Sequence, residues 1–127
     1  MAIRTELSLR LQNSPGALGG VCRLLADEHV NIVAMSLEAS GQLRLVVDNH
    51  LHGAAVLRER HHQVTERSVV VTAVSNTPGA LSVTLKLVTD AGINIEYAYG
   101  GAPDSGTAAS VVLGVEDAMR ASAAAGV

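Results

Sequence analysis

Phenylalanine and tryptophan are absent from these 127 residues, and tyrosine occurs twice, at Tyr97 and Tyr99. A core has to be built from Val, Leu, Ile and Ala, without large aromatic anchors. Cysteine occurs once, as Cys22, so no internal disulfide can form and a cytoplasmic setting is expected. No stretch approaches the roughly 20 apolar residues of a membrane span. The opening, MAIRTELSLR, alternates polar and apolar residues and lacks the apolar core of a secretion signal. The net charge of −3 comes from interspersed acids and bases, with no basic patch of the kind nucleic acid requires. Neither nucleic acid nor membrane is an expected partner.

Catalytic and metal-binding patterns are equally thin. No Ser/His/Asp or paired-carboxylate arrangement can be assembled from spacing, and no catalytic residue or cofactor is implied. The histidines are His29, His50, His52, His61 and His62. His50 and His52 stand two apart, which on a helix does not put them on one face. No Cys or acidic partner stands at ligand spacing, so a solvated helix face is a better reading than a metal site.

What is present is a phrase written twice. NSPGAL occupies residues 13–18 and NTPGAL residues 76–81, an offset of 63. The same offset carries Arg23 onto Lys86, Leu24 onto Leu87, Asp27 onto Asp90, and Asn31-Ile32 onto Asn94-Ile95. A constant period without gaps marks a duplicated supersecondary unit. The expected domains are 1–66 and 67–127. Units of about 60 residues bury only roughly 60% of the surface their unfolded chains expose, so they should pack on each other, on a second chain, or both.

Each copy reads β-α-β-β-α-β. IRTELSLRL alternates, with Leu7, Leu9 and Leu11 on one side and Arg4, Glu6, Ser8 and Arg10 on a wet side. Ser14 suits a helix cap and Pro15 the first helical position. Leu18, Val21, Cys22 and Leu25 then follow at helical spacing. NIVAMSL and RLVVD form a hairpin turning at Ser40-Gly41. A second helix over residues 50–60 presents Leu51, Ala54, Ala55 and Leu57, and QVTE is a short last strand. The second copy repeats this with strands SVVVTAVS, NIEYAYG and AASVVLGV and helices over 78–91 and 116–124. Only Ala125-Gly126-Val127 then remain, so its last strand is lacking or shortened. The fold class is α+β: two ferredoxin-like βαββαβ repeats, with helices on one face of an antiparallel sheet.

Strand, then Asn-x-Pro-Gly-Ala-Leu, then helix, then Asn-Ile and a strand: this succession resembles the ACT domain family, twice, over essentially the whole chain. The chain is most similar to stand-alone proteins made of two ACT domains, and NIEYAY in the second copy adds to the likeness. Many ligand-binding members carry Asp where Asn13 and Asn76 stand here. The resemblance implies a non-enzymatic regulatory protein that binds an amino acid at an interface between two domains and acts on an unnamed protein. It also implies that ligand contacts come from the loop before the first helix and the start of the next strand. Those are Asn13, Ser14, Pro15, Gly16, Ala17, Leu18, Asn31 and Ile32 in one copy, and Asn76, Thr77, Pro78, Gly79, Ala80, Leu81, Asn94 and Ile95 in the other.

The chemistry of the phrase fits that role. A helix beginning at Pro15 leaves the amides of Gly16, Ala17 and Leu18 without intrahelical partners, at the positive end of the helix dipole. Such an end takes a carboxylate, Gly16 leaves the backbone open, and Asn13 can both donate and accept. The same residues also make ordinary turn-and-cap chemistry. Asn31 and Asn94 read first as helix-end residues that tolerate a left-handed backbone. Tyr97 and Tyr99 replace Ala34 and Ser36 of the first copy. They either shape a more specific pocket or pack an interface. Val69, Val71 and Ala73 replace Glu6, Ser8 and Arg10, so the strand that carries them should be covered on both faces, with a second chain as the simplest cover. Homodimerisation is the expectation. A ligand-free dimerisation or interaction module and a small cofactor-free enzyme are the competing readings.

Overall fold

The structure, a computed structural model, describes residues 3–126. The elements run β1 (Ile3–Arg10), α1 (Ala17–Asp27), β2 (Ile32–Leu37), β3 (Gln42–Val47), α2 (His50–Glu59), β4 (Thr65–Ser75), α3 (Ala80–Asp90), β5 (Ile95–Gly101), β6 (Ala108–Val115) and α4 (Ala118–Ala125). Residues 5–67 form one compact unit. Residues 68–126, together with residues 3–4, form the other.

In the first unit the strands lie in the order β2-β3-β1, all antiparallel. Leu7 pairs with Leu45 and Leu9 with Leu43, so their side chains share one face. That face packs on Val21 and Leu25 of α1 and on Ala54, Val56 and Leu57 of α2. In the second unit the order is β4-β6-β5, again antiparallel. Val70, Val111, Leu113 and Val115 meet Val88 of α3 and Ala118 and Ala121 of α4. Each fully buried Leu or Val contributes roughly 1.5–3 kcal/mol, which suffices for two aliphatic cores. The α+β class with antiparallel strands and helices on one face is thus present.

Three details depart from the sequence reading, and the end of the chain is as that reading has it. Glu6 is 2% exposed rather than wet. Alternation reports the direction of a side chain, not whether the far face is covered. Glu6 is satisfied where it lies, since no buried side-chain nitrogen or oxygen among the described residues lacks a partner. In α2, Leu51 is 73% exposed and Gly53 and Val56 are buried in its place, because the helix presents Gly53, Ala54, Val56 and Leu57 to the strands. QVTE is not a strand of its own: β4 runs unbroken from Thr65 to Ser75, since no turn residue interrupts it. After α4, Gly126 takes a left-handed backbone and no strand follows among the described residues, Val127 lying outside them.

Three helices end alike. At the end of α1, the His29 amide donates to Ala26 C=O and the Val30 amide to Leu25 C=O, with His29 left-handed at φ 56°. At the end of α2, His61 (φ 68°) bonds Arg58 and His62 bonds Leu57. At the end of α3, Gly92 (φ 76°) bonds Thr89 and Ile93 bonds Val88. These are Schellman ends, which close the last free carbonyls. The left-handed positions are therefore His29 and Gly92, not Asn31 and Asn94. Asn31 instead donates its amide to Asp48 Oδ1 and accepts the Asp48 amide, both at 3.0 Å.

A left-handed histidine is strained where glycine is not. His29→Gly should raise stability by about 1 kcal/mol. Denaturant unfolding at unchanged m-value checks this, and a loss of stability would contradict it.

Candidate functional site

The repeated phrase folds the same way on both occasions. The Ala17 amide donates to Ser14 C=O at 3.3 Å, with Gly16 at φ 87°, ψ −9°. The Ala80 amide donates to Thr77 C=O at 3.2 Å, with Gly79 at φ 85°, ψ −12°. These are type II turns, with proline second and a positive-φ glycine third. The helices accordingly start at Ala17 and Ala80, two residues later than a start at proline. Neither helix has a side-chain cap, because the carbonyls of Ser14 and Thr77, not their hydroxyls, close the turns. A Cβ on Gly16 or Gly79 would meet nothing within 4 Å, so backbone angle rather than crowding calls for glycine. The first helical bonds are Gly20 N–H to Gly16 C=O and Val83 N–H to Gly79 C=O. The amides of Leu18 and Gly19, and of Leu81 and Ser82, precede them and are the helix-end donors.

Each turn lines a cavity. In the first unit it measures about 140 Å³ and is bounded by Asn13, Ser14 and residues 16–19, with Leu37, Glu38, Ala39 and Gly41 opposite. In the second unit it measures about 370 Å³, bounded by Val74–Thr77 and Leu81, with Ala98–Ala102, Ala109 and Val111 opposite. A hollow of about 680 Å³ in the first unit, beside Arg10, His61 and His62, contains no residue of the repeated phrase.

A β-bulge sets what faces the second cavity. Ile95 pairs with Val115, but Tyr97, two residues on, pairs with Gly114. The extra residue turns the rest of β5 over. Ala98 and Gly100 thus stand opposite Leu113 and Val111 on the helix side, while Tyr97 and Tyr99 stand opposite Gly114 and Val112 on the other side. The same irregularity between Ile32 and Ala34 puts Met35 and Leu37 on the helix side of the first unit. The Tyr97 ring lies over Gly114, where any Cβ would collide with it, and stacks on Tyr99 with centroids 6.4 Å apart and planes 7° from parallel.

The structure therefore brings together Asn76, Thr77 and Leu81, with Tyr99 at the margin, in one cavity, and Asn13, Ser14, Gly16, Ala17 and Leu18 in the other. Asn31, Ile32, Asn94, Ile95 and Tyr97 lie outside both linings, as do the turn residues Pro15, Pro78, Gly79 and Ala80. Ile32 and Ile95 pack against the two cores. Ala98, Gly100, Ala102 and Ala109 escaped the sequence reading. The first two correspond by the repeat offset to Met35 and Leu37, which the sequence reading does not single out either.

Asn76 is held by the β5–β6 loop. Its Nδ2 donates to Gly106 C=O at 2.8 Å and to Pro103 C=O at 3.4 Å, and its amide donates to Thr107 C=O at 3.1 Å. The donors of Asn76 are thus engaged, and Oδ1 is the side-chain atom left to accept. Among the described residues, no group of three His, Cys, Asp or Glu stands close enough to hold a metal ion. Among the described residues, no helix is long and apolar enough to cross a membrane.

The ACT domain family model matches residues 5–64. No curated protein matches the sequence. Among solved structures, a protein from Bacteroides thetaiotaomicron is similar with a TM-score of 0.87 and 29% identity, over 97% of this chain and 87% of that one. The ligand-free regulatory subunit of aspartate kinase from Thermus thermophilus shares the fold, with a TM-score of 0.69 and 19% identity over 99% and 95%. Aspartokinase III from E. coli, in complex with lysine and aspartate, has a TM-score of 0.59 and 18% identity over 95% of this chain and 30% of that one. Within the matched residues the turn Ser14–Ala17 sits between β1 and α1, and the unmatched residues 76–81 form the same turn between β4 and α3.

Removing the Asn76 amide should free the loop it holds. Asn76→Ala should cost about 1 kcal/mol, as two exposed side-chain bonds are lost. It should also speed amide exchange at Gly106, whose N–H bonds Pro103 C=O. Hydrogen exchange measures both, and unchanged protection at Gly106 would contradict the role.

Proposed function

We propose that the chain is a non-enzymatic regulatory protein of two ACT domains, residues 1–66 and 67–127, that binds a small molecule, an amino acid, and acts on another protein. The observation that carries this reading is the 370 Å³ cavity beside the Asn76–Leu81 turn. It falls within the roughly 300–1,000 Å³ of small-ligand sites. A zwitterion has complementary groups within reach of that turn. The Leu81 and Ser82 amides, at a positive helix end, suit a carboxylate, and Asn76 Oδ1 suits an ammonium group. The likeness to aspartate kinase regulatory subunits agrees with a regulatory role, and aspartokinase III from E. coli is a neighbour with amino acids bound. Neither cavity sets out a nucleophile with a base, which favours binding over catalysis.

A second reading, an assembly module, draws on the other side of the second unit. Val71 pairs with Val112 and Val112 with Tyr99, an apolar row on the face away from α3 and α4. Val69 is fully buried, Val71 half-buried and Ala73 exposed. The two readings combine if a homodimer covers this row.

A thermal-shift series with the proteinogenic amino acids tests the binding reading. A ligand present at 100 times its Kd stabilises the folded chain by about 2.7 kcal/mol and must raise the melting temperature. No shift with any of them leaves the assembly module. For the dimer, Val71→Lys would bury an unpaired charge and should lower the mass seen by light scattering. An unchanged mass with the fold intact would sink it.

A further inference from the structure

The two cavities are built from matching positions, yet only one has room for a ligand. The difference lies on the helix-facing side of the edge strands. In the first unit Met35 and Leu37 stand there, and Leu37 lines the 140 Å³ space. In the second unit the same places hold Ala98 and Gly100, which line the 370 Å³ space. The smaller volume lies below the roughly 300–1,000 Å³ of small-ligand sites and the larger within it. Gly100 cannot be filled by any other residue. Its φ is 146°, and a Cβ there would collide with the Ser110 carbonyl. That point of the lining therefore carries no side chain.

The wall also has a chemical character. Val74, Leu81, Ala98, Ala109 and Val111 supply apolar surface, while Ser75, Asn76 and Thr77 gather the polar groups at the turn. Among the described residues of the lining, none carries a charged side chain. A ligand whose far end bore an ammonium or carboxylate group would lose water there and find no counter-charge.

We propose that the cavity of the second unit is the single amino-acid site of this chain, and that it takes an amino acid with an uncharged aliphatic side chain. This rests on the amino-acid reading above and goes further by assigning one unit, a side-chain class and the residues that decide both. Leu37 narrows the first site; Ala98 and Gly100 open the second.

Calorimetry on the full chain tests it, with leucine, isoleucine, valine and methionine set against lysine, arginine, aspartate and glutamate. At least one of the aliphatic set should bind, at one site per chain, and the charged set should bind roughly tenfold or more weakly. Ala98→Met, which installs the residue of the first unit, should cut affinity roughly tenfold or more. Met35→Ala should leave affinity within about twofold, since Met35 is outside the second unit's lining. Two sites per chain, or full affinity in a folded Ala98→Met, would overturn the assignment to one unit. Tightest binding by a charged amino acid that Ala98→Met abolishes would overturn the side-chain class and leave the amino-acid reading standing. No binding by any amino acid would remove both. The comparison of side-chain classes is made on the unaltered chain, so it decides even if Ala98→Met does not fold.

Discussion

A glycine held at positive φ decides where each unit's leading strand gives way to its helix. At Gly16 and Gly79 the backbone stands at 87° and 85°, angles that cost any residue with a Cβ roughly 1–2 kcal/mol. Proline before each glycine fixes the other half of the type II turn. The rest of the site follows from that geometry. The turn consumes one amide, delays the helix by two residues, and leaves the next amides at the mouth of a cavity. Open space around both glycines shows that conformational need and ligand access coincide at these positions without being the same requirement.

The second constraint is a single inserted residue in each edge strand. Without the bulge in β5, Ile95, Tyr97 and Tyr99 would share a face, as their spacing of two implies. With it, Ile95 packs into the helix-side core while the tyrosines lie on the opposite side over Gly114 and Val112. The bulge also delivers Ala98 and Gly100 to the cavity. One irregularity thus moves aromatic bulk off the helix side of β5 and opens volume there, both by reversing which side of the strand each residue occupies.

Much of this was legible in the residues. The offset between the two phrases located both turns, and hydrophobic spacing identified the type of nearly every element. Side-chain direction after a bulge was not legible, because the extra residue leaves no mark in composition. The pocket walls on β5 were missed for that reason. Helix ends were read from Asn31 and Asn94, the residue type most tolerant of a left-handed backbone after glycine. The chain uses His29 there, and the hydrogen bonds of Val30 and Ile93 to Leu25 and Val88 show why: the core contacts of those apolar neighbours fix the register. QVTE, read as a separate short strand, runs into β4 because Arg67, the one residue between it and SVVVTAVS, is neither Gly nor Pro.

The stacked tyrosines have an optical consequence. With no tryptophan or phenylalanine in the chain, Tyr97 and Tyr99 supply all of its intrinsic ultraviolet fluorescence and nearly all of its near-ultraviolet dichroism. Both rings sit in the second unit, on the strand whose other side lines the cavity of about 370 Å³. The near-parallel rings, 6.4 Å apart, are close enough for their transitions to couple, so the signal reports the geometry of β5 as well as the solvent around it. The molecule therefore carries a built-in spectroscopic label on one unit and is optically silent in the other.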